Sequence, residues 1–164
     1  MQQRMVRTTI NYASSSIFIV VILGFRATLG TLDSATEHVP KDGPVFIVTA
    51  SFEGQPADNA VHFVEWLSSL SGSELAGTKF GVFGCGNHDW TTTYQRIPKL
   101  IDQLFEERGA TRLVERGEGD AGGSDFFDTF DAWEANLWPV LSKVTDKCCP
   151  GLSVVLNLPS CTGI

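Results

Sequence analysis

Hydrophobic positions in this chain fall in short continuous runs separated by longer amphipathic stretches. The densest run inside the chain is Val45 to Ala50, VFIVTA, which opens into the polar, glycine-bearing turn Ser51 to Gly54 and then Gln55-Pro56-Ala57-Asp58-Asn59. A continuous run of β-branched and aromatic residues predicts a strand buried on both faces. From Ala60 to Leu70 the apolar positions Val61, Phe63, Val64, Trp66, Leu67 and Leu70 recur at helical spacing, with Pro56 suited to a first turn. Thr78 to Phe83 predicts the next strand, ending in a second glycine-bearing loop, Gly81 to Trp90, GVFGCGNHDW. Tyr94 opens a long helix to Arg108, with Ile97, Leu100, Ile101, Leu104 and Phe105 on its buried face and Gly109 as C-cap.

Shorter signals flank these elements. Ala27 to Leu32 and Thr111 to Glu115 read as short strands, and Gly117 to Gly123 as a flexible acidic loop. Ser124-Asp125 begins a last helix that turns Phe126, Phe127, Phe130, Trp133, Leu137 and Trp138 inward. Strands alternating with helices of this length predict an α/β fold, a three-layer doubly wound parallel sheet. In such sheets ligands sit at the carboxyl ends of the strands.

The two ends depart from the pattern. Met1 to Ser16 is polar and weakly basic, and Ile17 to Leu23 is a dense apolar run. No small-residue cleavage site follows it, and it falls short of the ~20 apolar residues a membrane span needs. A buried helix feeding the strand at Ala27 fits better, because too little chain separates the two for a parallel crossover. Beyond about Lys143 the pattern stops, and Ser153 to Leu158 is at most a stray strand. The expected organisation is an N-terminal segment over 1–23, one domain over 24–143 and an irregular tail over 144–164.

Composition narrows the function. With 164 residues, 43% hydrophobic and 19% charged, the chain can bury a full core. Its net charge of −7 opposes nucleic-acid binding and suits a basic protein partner. Cys85, Cys148, Cys149 and Cys161 show no zinc spacing and read as thiols of a reducing, cytoplasmic compartment. Ser51 follows a strand but lacks the Gly-x-Ser-x-Gly frame of a hydrolase. The consecutive Asn87, His88 and Asp89 do not point at one metal ion. Glu115, Glu118, Asp120, Asp125, Asp128, Asp131 and Glu134 read as a solvated acidic face, or one on which a partner docks. Phe52 and Trp90 follow neighbouring strands in loops whose glycines, 54, 84 and 86, let backbone approach a ligand. They read either as core packing or as two rings enclosing a flat heterocycle.

The stretches VFIVTASFEGQPADNA, FGVFGCGNHDWTTTYQRIPKLID, ERGEGDA and FDTFDAWEANLWPVL bear on these readings. Together they resemble a flavodoxin-like FMN domain, that of the diflavin reductase part of self-sufficient fatty-acid hydroxylases (bifunctional cytochrome P-450/NADPH–P-450 reductases). The resemblance covers about Gly24 to Val140. It implies FMN held between Phe52 and Trp90, with Thr49, Ala50, Ser51, Glu53 and Gly54 on one side. Cys85, Gly86, Asn87, His88 and Asp89 would wrap the other, and Thr93, Tyr94 and Gln95 fall in a segment implicated in flavin binding. It also implies electron transfer from an NADPH/FAD reductase domain to a haem-thiolate monooxygenase domain, without membrane association. The family's first strand and phosphate loop have no counterpart in Met1 to Leu23. In the strand order 2-1-3-4-5 that strand is internal, so the expectation is a sheet lacking it, in a chain truncated at both ends. The alternative is a non-catalytic remnant of the domain with weak or no FMN binding.

Overall fold

The computed structural model describes residues 27–145 and 152–156, and within them the predicted alternation of strands and helices is present. The strands are β1 (Ala27–Gly30), β2 (Pro44–Ala50), β3 (Lys79–Gly86), β4 (Thr111–Arg112), β5 (Gly117–Asp120) and β6 (Leu152–Leu156). The helices are α1 (Val61–Ser69), α2 (Arg96–Glu107) and α3 (Phe126–Thr145), and a short 3-10 turn covers Asp33–Ala35. All strands pair in parallel, in the order β1-β6-β2-β3-β4, with β5 continuing along β3 beyond β4.

Period-two alternation divides the core into two layers. Val45, Ile47, Phe80 and Val82 face α1 and α2, meeting Phe63, Leu67, Ile101 and Phe105. Phe46, Val48, Phe83 and Cys85 face α3, meeting Phe126, Phe130, Trp133, Leu137 and Leu141. The wholly buried Phe83 ring is the hub of the second layer, with ring centroids 6.1 Å from Phe126, 4.9 Å from Phe130 and 5.3 Å from Trp133. Burial of this apolar area on both faces is what makes the sheet favourable.

Three expectations change. The segment read as a flexible acidic loop contains β5, which pairs Gly117 to Phe83 and Gly119 to Cys85. Its glycines are required by packing: a Cβ on Gly117 would run into the Phe83 ring, and one on Gly119 would lie 2.5 Å from Phe126 Cε2. Pro56 is not in a first helical turn, because α1 begins at Val61 after a turn closed by Ala60 N–H to Ala57 O at 2.8 Å. Most consequentially, the internal slot expected to be empty is filled. β6, from the tail read as irregular, lies between β1 and β2 with Ser153 beside Thr28 on one side and Val45 on the other. Backbone groups of an internal strand need partners on both edges, and β6 supplies them to both neighbours. The apolar run Ile17 to Leu23 lies outside the described residues.

Helix entry is set by tertiary contacts. Neither α1 nor α2 has a local side-chain cap. Instead Asp33 Oδ1 accepts the Phe63 amide at 3.0 Å, and Ser51 Oγ accepts the Ile97 amide at 2.8 Å. Each satisfies an amide that a helix start otherwise leaves open. The second contact ties the end of β2 to the start of α2, which fixes the site described next.

Candidate functional site: the loops at the carboxyl ends of β2 and β3

β2 and β3 pair from Pro44↔Lys79 to Ala50↔Cys85, so their loops leave the sheet side by side. The first loop is a tight reversal. Phe52 and Gln55 exchange backbone hydrogen bonds of 2.9 and 2.8 Å across Glu53 (φ 49) and Gly54 (φ 80). Positive φ at both central residues is the geometry of a primed hairpin turn, and it turns the Phe52 side chain out, 54% exposed. Gly54 itself is buried, and a Cβ there would stand 2.9 Å from Thr93 Cγ2 and 3.2 Å from an Arg96 Nη. The two loops therefore touch.

The second loop is built from local polar bonds. Asn87 Oδ1 accepts the Asp89 amide at 2.8 Å, and Asn87 O accepts the Trp90 amide at 3.1 Å. Trp90 O then accepts the Thr93 and Tyr94 amides at 3.0 and 2.8 Å. The Trp90 ring is 58% exposed. Among the described residues the large hydrophobic side chains left exposed are Leu29, Phe52 and Trp90, and the last two share this sheet edge.

The remaining candidates divide by position. Glu53, His88 and Asp89 are exposed beside the rings, and Ser51, Gly86, Asn87, Thr93 and Tyr94 are half-buried around them. Ala50 is half-buried at the end of β2, whereas Thr49 is buried and Cys85 packs into the aromatic layer under α3. Thr49 and Cys85 thus support the two loops from below. Gln95 is wholly buried in the left-handed region (φ 59), and its Nε2 donates to Gly84 O at 2.9 Å and Gly119 O at 3.5 Å. It ties β3 to β5 beneath the loops. Tyr94 packs over Gly86, where a Cβ would meet its ring at 2.8 Å, and burial is the main reason its hydroxyl is pushed above the ordinary value.

Asp120, at the end of β5, enters the site from the acidic face. Its Oδ1 accepts the His88 amide at 3.1 Å and the Gly122 amide at 2.9 Å, and its Oδ2 lies 3.0 Å from His88 Nδ1. Burial acts to raise this carboxyl, but the Gly122 and His88 amides and the His88 ring outweigh it and hold it below the ordinary value. Sequence reasoning placed Asp120 on a solvated surface. The one available signal was its position just before Gly122-Gly123, a place where chain turns. Among the described residues there is no cluster of metal-binding side chains, and no helix is long and apolar enough to cross a membrane.

The sequence profile described as Flavodoxin matches residues 19–133. The chain belongs to the flavodoxin family. A self-sufficient cytochrome P450 monooxygenase of Phanerodontia chrysosporium is 69% identical over 120 residues, which are 73% of this chain and 11% of the relative. A bifunctional cytochrome P450/NADPH–P450 reductase of Fusarium oxysporum is 50% identical over 129 residues, 76% of this chain and 12% of the relative. The flavodoxin-family chain thus matches only about a ninth of the length of these fusion relatives. A cysteine-to-serine mutant of the flavodoxin from Pseudomonas aeruginosa superposes with a TM-score of 0.62 at 20% identity, over 79% of this chain and 88% of that one. That likeness supports the flavodoxin fold, with its parallel sheet between helices.

Proposed function

We propose that this flavodoxin-family domain binds FMN and passes electrons from an NADPH/FAD reductase to a haem-thiolate monooxygenase, in a cytoplasmic setting. The observation that carries the reading is the pair of exposed rings, Phe52 and Trp90, on touching loops at the carboxyl ends of adjacent parallel strands. Leaving two large aromatics in water is unfavourable unless something covers them. A flat tricyclic ring is matched in shape and polarity by two aromatic faces.

The residues of the two loops fit the ring system of such a group. The loops are closely packed at glycines whose absent Cβ atoms make room: Gly54 against Thr93, Gly86 against Tyr94, and Gly122, where a Cβ would lie 2.7 Å from Asn87 Oδ1. Backbone amides of these loops would meet a heterocycle's polar edge. Bound FMN would supply exchange between a two-electron donor and a one-electron acceptor. Phe52 and Trp90 would cover its faces and exclude water. Ser51 would orient the first loop through its bond to the Ile97 amide, and Asn87 the second. The fusion relatives support a reductase domain and a monooxygenase domain as partners. The net charge of −7 suits a basic surface on either.

Titration of the purified chain with FMN tests this. Quenching of flavin fluorescence with saturable uptake is expected, and a chain that stays colourless overturns the reading. Trp90→Ala is expected to weaken FMN binding about tenfold to a hundredfold, given ~1–3 kcal/mol for a stacked aromatic ring. The thermal midpoint without ligand should barely move, since the ring is more than half exposed. Equal losses of affinity and of ligand-free stability would return Trp90 to a packing role.

A further inference from the structure

The loop carrying Trp90 is gripped from outside by a residue of another strand. Asp120 closes β5, and the chain after it is anchored back to β3 by Ala121 N–H donating to Gly86 O at 2.7 Å, then turns with Gly123 N–H donating to Asp120 O at 3.2 Å. From this fixed point its carboxylate reaches the His88 amide, the Gly122 amide and His88 Nδ1. The His88 ring in turn lies against Tyr94, with ring centroids 3.9 Å apart. Carboxylate, imidazole and phenol thus form one chain of contacts from β5 across the loop to the start of α2. It fastens the loop on both sequence sides of Trp90, at 88 and at 94.

We propose that Asp120 is a positioning residue for the flavin-facing loop: its carboxylate clamps residues 87–90 so that Trp90 is presented preorganised. The proposal rests on the flavin reading above. A loop already held in its binding shape loses less conformational freedom when ligand arrives, which appears directly as affinity. The amide contacts carry more of the effect than the contact with the imidazole, because the His88 side chain is 64% exposed and water competes for it. The depressed carboxyl keeps Asp120 ionised, and therefore purely an acceptor, across the neutral range. A single side chain thereby joins the His88 amide to the turn at Gly122.

Three variants separate the contacts. Asp120→Ala removes all of them. Asp120→Asn keeps an Oδ1 for the two amides but no carboxylate for the ring. His88→Phe keeps a ring against Tyr94 while losing Nδ1. Amide hydrogen exchange on ligand-free protein reads the clamp directly. In Asp120→Ala the His88 and Gly122 amides are expected to exchange about tenfold faster, with near-wild-type rates in Asp120→Asn. FMN affinity should fall about tenfold in Asp120→Ala and roughly two- to threefold in Asp120→Asn and His88→Phe, with ligand-free thermal midpoints little changed. Unchanged exchange at these amides in Asp120→Ala overturns the clamp whether or not FMN binds. Faster exchange with unaltered FMN affinity overturns the positioning role. Should Asp120→Ala fail to fold, FMN affinity in Asp120→Asn and His88→Phe decides, and wild-type affinity in both overturns the proposal. A wild-type chain that takes up no FMN sinks the flavin reading and this role with it. Exchange on the ligand-free chain still shows whether the clamp itself exists, so the two failures are told apart.

Discussion

Val154→Pro is expected to destabilise the sheet by about 3 kcal/mol or more, because proline in an internal strand removes a ladder donor and crowds its neighbour. Val154 pairs with Leu29 of β1 on one side and Phe46 of β2 on the other. Every backbone amide of an internal strand points at one partner or the other, so no register of β6 accommodates the ring. The consequence spreads beyond one bond. Among the described strands β1 pairs only with β6, and β2 would be left paired on one edge alone. Urea melts of the wild type, Val154→Pro and a chain ending at residue 145 check this. A midpoint shift downward with loss of cooperativity is expected in both variants. Coincident melts would show that β6 contributes nothing to the folded sheet.

The second large effect is Gly84→Ala, which adds one methyl at the most crowded of the described glycines. A Cβ there would overlap Gln95 Oε1 and stand 2.6 Å from Pro98 Cβ. Neither neighbour yields easily. Gln95 is wholly buried, is held in the left-handed region and bonds the carbonyls of Gly84 and Gly119, while Pro98 is rigid and sits in the first turn of α2. Overpacking of this kind costs typically ~1–3 kcal/mol, and breaking the buried Gln95 bond adds about 1–3 kcal/mol, so a total of about 3 kcal/mol or more is expected. Gln95→Gly suits the positive φ and removes the worst clash. In a double-mutant cycle the two changes should therefore couple, the pair being less harmful than their sum. Strict additivity, measured by denaturant melts, would show that Gly84 and Gln95 do not meet.

These two positions show where local sequence information stops. The pattern itself was enough for β2, β3, α1 and the long stretches of α2 and α3. A continuous β-branched run and an apolar stripe at helical spacing are properties of a few neighbouring residues. Phe52 and Trp90 stood out in the sequence because both follow strands in glycine-bearing loops, and both side chains are exposed. Cys85 and Gln95, by contrast, look like loop residues in sequence but are buried. The side on which a strand-end residue points follows from the pleat and from the helix packed against it.

The sequence by itself determined the α/β alternation and the three-layer arrangement of helices on a parallel sheet, since both follow from short-range periodicity. Only the tertiary structure decided that β6 occupies the internal slot, that GEGD forms β5, that Asp33 and Ser51 cap distant helices, and that Asp120 grips the Trp90 loop. Those contacts join residues far apart in the chain. Their partners satisfy backbone groups that no neighbour in sequence can reach, and a stretch such as LSVVL or GEGD carries no mark of which strand it will lie beside.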